Sequence, residues 1–379
     1  MVRIEHIRLA AYIAFIIVLF LIPQFVGVFG LNRVSGYLAY GAAGVAMSLA
    51  WGNGGILNLG QGAFFGAGAY SIAMALMLQH SGPDVIPKFM ELNAEPDAPH
   101  QLCCIAPGTF VWIPFRQLWF GLLWGIVGPV VLALAVAAPM FYRRVTGVYV
   151  AIITLALVVA LQLVIINNQP ITGGFNGLAE LARLSVGGVI FDPYTDNSYY
   201  LLATVLSLML LGGRWLVTGR AGLVLRAIQS NEDRMRFLGY RVEAYKMVFF
   251  ALSAAVAGLA GMMYVTVALF SSPALMAVSF SVSMVIWAAV GGRASLLGAC
   301  LGAIAVNAIG DAASESQLLQ PIWPLILGGL FIGTVLFLPG GFVGWLDRFV
   351  ERLLWFRGGI RGNDVASRKT AAQDRAGPD

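Results

Sequence analysis

Apolar runs near twenty residues long and almost free of charge recur along this 379-residue chain, divided by short polar or glycine-rich breaks. A bilayer core of about 30 Å takes about 20 helical residues. The pattern therefore predicts about ten transmembrane spans, at about 9–31, 36–52, 56–79, 118–141, 146–167, 198–217, 246–270, 277–292, 294–311 and 322–341. The fold class is all-α integral membrane, a polytopic helical bundle. Glycine clusters split 36–52 from 56–79 and 277–292 from 294–311, so broken or re-entrant segments are expected there. The first run is too long for a typical signal-peptide core and has no convincing small-residue cleavage site, so it reads as a retained span. The transmembrane domain covers 1–346, and the polar tail, 347–379, reads as largely disordered.

Between the apolar spans lies one long polar stretch, 218–246. It carries Arg220, Arg226, Arg234, Arg236, Arg241 and Lys246 against Glu232, Asp233 and Glu243. Read as a helix over 221–238, it sets Val224, Ile228, Met235 and Leu238 on one side, with Asn231 interrupting the i, i+4, i+7 spacing. Arg226, Asp233 and Arg236 fall off that stripe. Such a helix cannot span a bilayer. It reads either as a solvated loop with helical tendency or as a docking helix for a soluble partner.

Charge sets the orientation. With the N-terminus inside, ten spans return the C-terminus to the inside. Of the 23 Lys and Arg, nineteen then lie on the cytoplasmic side, and only Arg33, Lys88, Arg116 and Arg183 lie outside. Both termini and 218–246 are thus expected in the cytoplasm, with 80–117 and 168–197 as external loops. The first of these loops is rich in proline and reads as irregular. The second contains Thr172-Gly-Gly-Phe-Asn-Gly177, a run of turn residues. Cys103, Cys104 and Cys300 have no metal-ligand spacing. Cys103 and Cys104 are the two expected to meet an oxidising compartment.

Composition narrows the chemistry. Charged residues are 11% of the chain, against about 25% in soluble domains. No basic stripe interleaved with aromatics is present to bind nucleic acid. No span interior holds Asp, Glu, Lys or Arg, and His6, His80 and His100 fall outside the spans, so the membrane offers no proton-carrying group. The phosphate-binding pattern GxxxxGK[ST] is missing too. The chain is expected to bind no cofactor or metal of its own, and energy for uphill work must come from a partner.

The richest intramembrane stretch is Trp51–Tyr70, with seven glycines and the amides Asn53, Asn58 and Gln61. Glycine costs about 1 kcal/mol against Ala in a helix interior, so the cluster predicts a broken helix. It serves either close helix packing, as at Gly62-xxx-Gly66, or a polar path lined by the amides. Ser283 and Asn307, with Ser279, Ser281 and Trp287, face either a pore or neighbouring helices. Arg293, beside Gly291 and Gly292, reads as a lipid contact, a helix cap or a partner contact.

Several segments in order are familiar. GRAGLVLRAIQSNEDRMRFLGY followed by YKMVFFALSAAVAGLAGMMYV resembles the cytoplasmic loop and next span of the LivM-type permeases. WGNGGILNLGQGAFFGAGAY, TGGFNGL, VGGRASLLGACLGA and ILGGLFIGTVLFLPGGFVG are similar to further segments of that family, and the likeness runs from about 36 to 346. RFLGY, MVIWAAVGGRASLLGA, NAIGDAASES and IWPLILGGLFIGTVLFLPGG most resemble its urea-importer subgroup. The resemblance implies the permease subunit of an ABC importer in a bacterial inner membrane. Its partners would be a homologous second permease, two cytoplasmic ATPases that use ATP and Mg, and an external solute-binding protein. Glu232 and Gly239 fall where such permeases place an acidic residue and a glycine in the ATPase-docking loop. Coupling is therefore expected through Val224, Arg226, Ile228, Glu232, Met235, Leu238 and Gly239; from the residues themselves, and not from the resemblance, a solute path is expected along Asn53, Asn58, Gln61, Ser283 and Asn307. Urea is the expected solute, because neutral spans suit a small uncharged donor and acceptor. Branched-chain amino acids or short-chain amides are the alternative, and a passive channel is more remote.

Overall fold

The computed structural model describes residues 2–80, 109–179, 181–338 and 340–345. The middle of the predicted loop 80–117, with Cys103 and Cys104, lies outside the described residues, as does the predicted tail 347–379.

The chain is a helical bundle. Helix α1 (Val2–Leu21) passes through a single tight turn, Ile22–Gln24, into α2 (Val28–Met47). The first boundary is thus at Pro23 and Gly27, not between residues 31 and 36 as hydropathy alone places it. Pro23 has no N–H to continue α1, and the apolar residues beyond it already belong to the next helix. After α3 (Gln61–His80) come α4 (Leu118–Tyr142), α5 (Val148–Asn167) and the short α6 (Gln169–Thr172). A small antiparallel hairpin, β1 (Leu184–Val186) with β2 (Val189–Phe191), departs from the all-helical expectation; its Leu184 is buried in the core, with Val186 and Phe191 packed against it. Next are α7 (Asp196–Thr218), α8 (Arg220–Ser230), α9 (Glu232–Phe237) and α10 (Val242–Ala268). The described helices close with α11 (Val278–Gly291), α12 (Leu296–Ser314) and α13 (Trp323–Phe337).

Each of the ten predicted spans has its helix. Eight of these are long and apolar enough to cross a membrane: α1, α3, α4, α5, α7, α10, α12 and α13 with its extension. The other two are α2 and the 14-residue α11. At 1.5 Å per residue α11 is about 21 Å long, short of a 30 Å core.

Burial separates the centre from the rim. In α3, 89% of the apolar stretch is buried and in α10 67%, against 11% in α1. Small residues allow this close approach: Gly62 packs on the Ser281 side chain, Gly66 on Met276, and Gly68 and Gly258 meet backbone to backbone. The close-packing reading of the glycine-rich stretch therefore holds.

The two ends of the bundle are distinct. At one, Asn32 of α2 donates to the Pro193 carbonyl (3.2 Å), and Leu178 pairs with Ser271. At the other, the hydroxyl of Ser48 donates to the Arg293 carbonyl (2.8 Å), and Gly55 lies against Gln229 of α8. The 23-residue α7, about 35 Å long, separates 168–197 from 218–246.

Candidate functional site

Three of the predicted features became concrete arrangements. The first is the glycine and amide break. At the end of α2 the helix widens into an i→i+5 turn over Ser48–Asn53. Turns of this kind concentrate at functional sites. Gly52 within it has no room for a side chain, because any Cβ there would sit inside the Arg293 carbonyl. Backbone therefore packs on backbone between the end of α2 and the α11–α12 connection. Arg293 itself lays its guanidinium over the Trp51 indole, 5.2 Å from the ring centroid.

The amides follow this break. The Asn53 amide donates to the Ser48 carbonyl (3.1 Å). Asn58 donates to the Gln61 side-chain oxygen (2.5 Å) and accepts from the Gly60 N–H (2.9 Å). Gln61 donates to the carbonyl and hydroxyl of Ser253 (3.2 and 2.9 Å), and the Ser253 hydroxyl donates to the Ala46 carbonyl (2.7 Å). Asn58 and Gln61 are fully buried and Asn53 nearly so. The structure brings Asn58 and Gln61 together, while Asn53 is bonded within the turn that ends α2. Unpartnered buried amides are costly, and here each finds a protein partner; Gln61 is the one that reaches α10, through Ser253.

The second feature is the polar stretch. The single helix expected over 221–238 is two helices, because Asn231 leaves helical geometry and its side chain caps α9 by accepting the Arg234 N–H. The predicted stripe also turns inward. Ile228 and Met235 are buried against Val242, with Val224 and Tyr245 packed beside them. Within this chain, then, both side chains are covered. Leu238 alone of the four is exposed (66%), and it lies beside Phe237 (89%). Leu223 is exposed on α8 as well. Arg226 donates to the Val217 carbonyl (3.1 Å) at the end of α7. Glu232 pairs with Arg236 (2.6 Å) and Lys246 (2.5 Å), and Arg236 reaches Glu243 (3.2 Å), so these charges lock α9 onto α10. Gly239 reverses the chain between them at φ +86°, the left-handed region that favours glycine.

The third feature is a cavity of about 140 Å³ between α11, α12 and α13, lined by Ser283, Trp287, Asn307, Asp311, Ser314 and Trp323 among others. Of the five predicted path residues it gathers two, Ser283 and Asn307. The cavity belongs to the end of the bundle that holds Asn32 and Pro193: Tyr37 of α2 donates its hydroxyl to Asp311 (2.7 Å), and one turn away Arg33 pairs with Glu315 (2.7 Å). Asp311, Ser314 and Trp323 were missed from sequence. The signal was present, since Asn307, Asp311 and Ser314 stand at i, i+4 and i+7 and share one face of α12. A span ending at 311 hid it. Helix α12 runs on to Ser314 and so includes a carboxylate.

Residues 31–338, which contain all three arrangements, match the family described as branched-chain amino acid transport system / permease component. The chain is 24% identical over 329 residues to the high-affinity branched-chain amino acid transport system permease protein LivM of Escherichia coli, covering 80% of this chain and 67% of that protein. The protein of the same name from Salmonella typhimurium is 24% identical over 328 residues, with the same coverage. No solved structure matches.

Proposed function

The chain belongs to the branched-chain amino acid transport permease family, non-catalytic membrane components of ABC transporters, and from this premise we propose that it carries urea inward across a bacterial inner membrane. The observation that supports an importer of a small solute is the pairing of two features at opposite ends of one bundle. At one end is a polar cavity of about 140 Å³, well below the roughly 300–1,000 Å³ of drug-sized sites. At the other is a charged two-helix segment whose exposed Leu223, Phe237 and Leu238 are available to a soluble partner.

In this reading the cavity end faces outward and receives solute from an external binding protein. Both termini and 218–246 face the cytoplasm. A homologous second permease completes the path, and two ATPases dock on α8 and α9 and use ATP and Mg. Glu232 and Gly239 order the docking surface. The cavity's size and hydrogen-bonding walls favour urea. A second reading, a branched-chain amino acid, is favoured by the relatives from Escherichia coli and Salmonella typhimurium, both branched-chain amino acid transport permeases by name.

Proteoliposomes holding the complete importer and its binding protein test the choice. ATP-dependent uptake of radiolabelled urea, with none of leucine, is expected. Leucine uptake in place of urea would establish the second reading. Equal uptake with and without ATP would make the chain part of a passive channel and end the importer reading.

A further inference from the structure

The hydrogen-bond inventory of the α11–α12–α13 cavity is one-sided. The Ser283 hydroxyl donates to the Ser279 carbonyl (3.0 Å), and the Ser314 hydroxyl to the Gly310 carbonyl (2.8 Å). The Asn307 amide donates to the Ala303 carbonyl (2.7 Å). A hydroxyl has one hydrogen to give and two lone pairs to offer. With those hydrogens spent on each helix's own backbone, the two hydroxyls and the Asn307 side-chain oxygen present lone pairs.

Asp311 extends the same bias. One of its oxygens accepts from Tyr37, and among the described residues the other has no protein donor. Asp311 is also the single charged group among the residues lining the cavity. Arg33, one turn from Tyr37 on α2, is bonded instead to Glu315. Carboxylates in membrane helices face bundle interiors or wet cavities, and they mark solute paths. The donors left over are few: the second Asn307 amide hydrogen and the indole N–H groups of Trp287 and Trp323. They suit a single carbonyl oxygen.

We propose that this cavity is an N–H-recognising subsite, taking small solutes that present several N–H donors and rejecting carboxylates. It accepts urea, amides, amidinium groups or the ammonium end of an amino acid, with the donors turned to Asp311 and the nearby oxygens. This rests on the transport reading only in making the cavity a stop on the solute's route. It also fixes orientation: an amino acid would enter ammonium first.

The test is equilibrium binding to the assembled importer in nanodiscs, without its external binding protein, using radiolabelled urea, guanidinium and acetate as probes. Native protein should bind urea and guanidinium and leave acetate unbound. Asp311→Asn should weaken guanidinium binding about tenfold, the size of a lost charge-assisted hydrogen bond, and urea binding less. Asp311→Glu should recover most of that loss. Tyr37→Phe removes the structural bond to Asp311 but keeps the carboxylate, so guanidinium binding should stay within about twofold of native. A purely structural Asp311 would instead make Tyr37→Phe as harmful as Asp311→Asn, which would overturn the proposal. Acetate binding comparable to guanidinium in native protein would overturn it too, without recourse to any variant. If ATP-driven uptake then proceeds normally, the transport reading stands and the subsite alone falls. Selective N–H binding with no ATP-driven uptake would leave the subsite standing and refute the transport reading.

Discussion

Gly52 and Gln61 hold two joints of the bundle by different physics. At Gly52 the constraint is space, because the Arg293 carbonyl occupies the place of a Cβ and both sides of the contact are backbone. Backbone yields less readily than a side chain, so Gly52→Ala should destabilise the permease by about 3 kcal/mol, seen as a lower midpoint in thermal unfolding in detergent. At Gln61 the constraint is hydrogen bonding. Gln61→Leu keeps bulk but strips the partner from Asn58 and the donors from Ser253. A loss of about 1–2 kcal/mol in the same assay is expected, with uptake falling in proportion to folded protein. Loss of urea uptake at full stability would instead return Gln61 to the solute path. The sequence showed that the break and its amides matter. It could not show the partner of Gln61, because Ser253 lies 192 residues further along the chain and meets that amide only through tertiary packing.

The α8–α9 pair shows where periodicity stops informing. Spacing found a real amphipathic pattern, and Asn231 was visible as its flaw. Which side faces inward depends on what lies beneath, and here α10 supplies Val242 to cover Ile228 and Met235. The surface left for a partner is the less regular set Leu223, Phe237 and Leu238. Two substitutions separate these roles. Ile228→Asp would place an unpaired charge in a buried cluster and should destabilise the permease itself by about 3–5 kcal/mol. Phe237→Asp changes an exposed side chain and should leave thermal stability within about 0.5 kcal/mol while sharply reducing co-purification of the ATPases. The reverse pattern, an intact complex with Phe237→Asp, would remove this face from the docking surface.

Across the whole molecule, the order of the apolar helices and eight helices long enough to cross a membrane were legible because bilayer thickness imposes a length that hydropathy records. The boundary at Pro23 and Gly27 was not, because apolar residues continue through it. Asp311 was lost for a related reason: charge was taken to end the span, whereas α12 continues past it beside Tyr37. The cavity at that end and the docking pair at the other are joined through α7, α10 and the packed core, and coupling between them is the central claim. The direct measurement is thiol labelling of Ser283→Cys by a membrane-impermeant reagent added outside, in a complete importer whose Cys103, Cys104 and Cys300 are replaced by Ala. Labelling should be fast at rest, slow when ATP and the loaded binding protein are added, and indifferent to ATP when Phe237→Asp is also present. Labelling that never responds to ATP, or that occurs only from the side bearing 218–246, would contradict it.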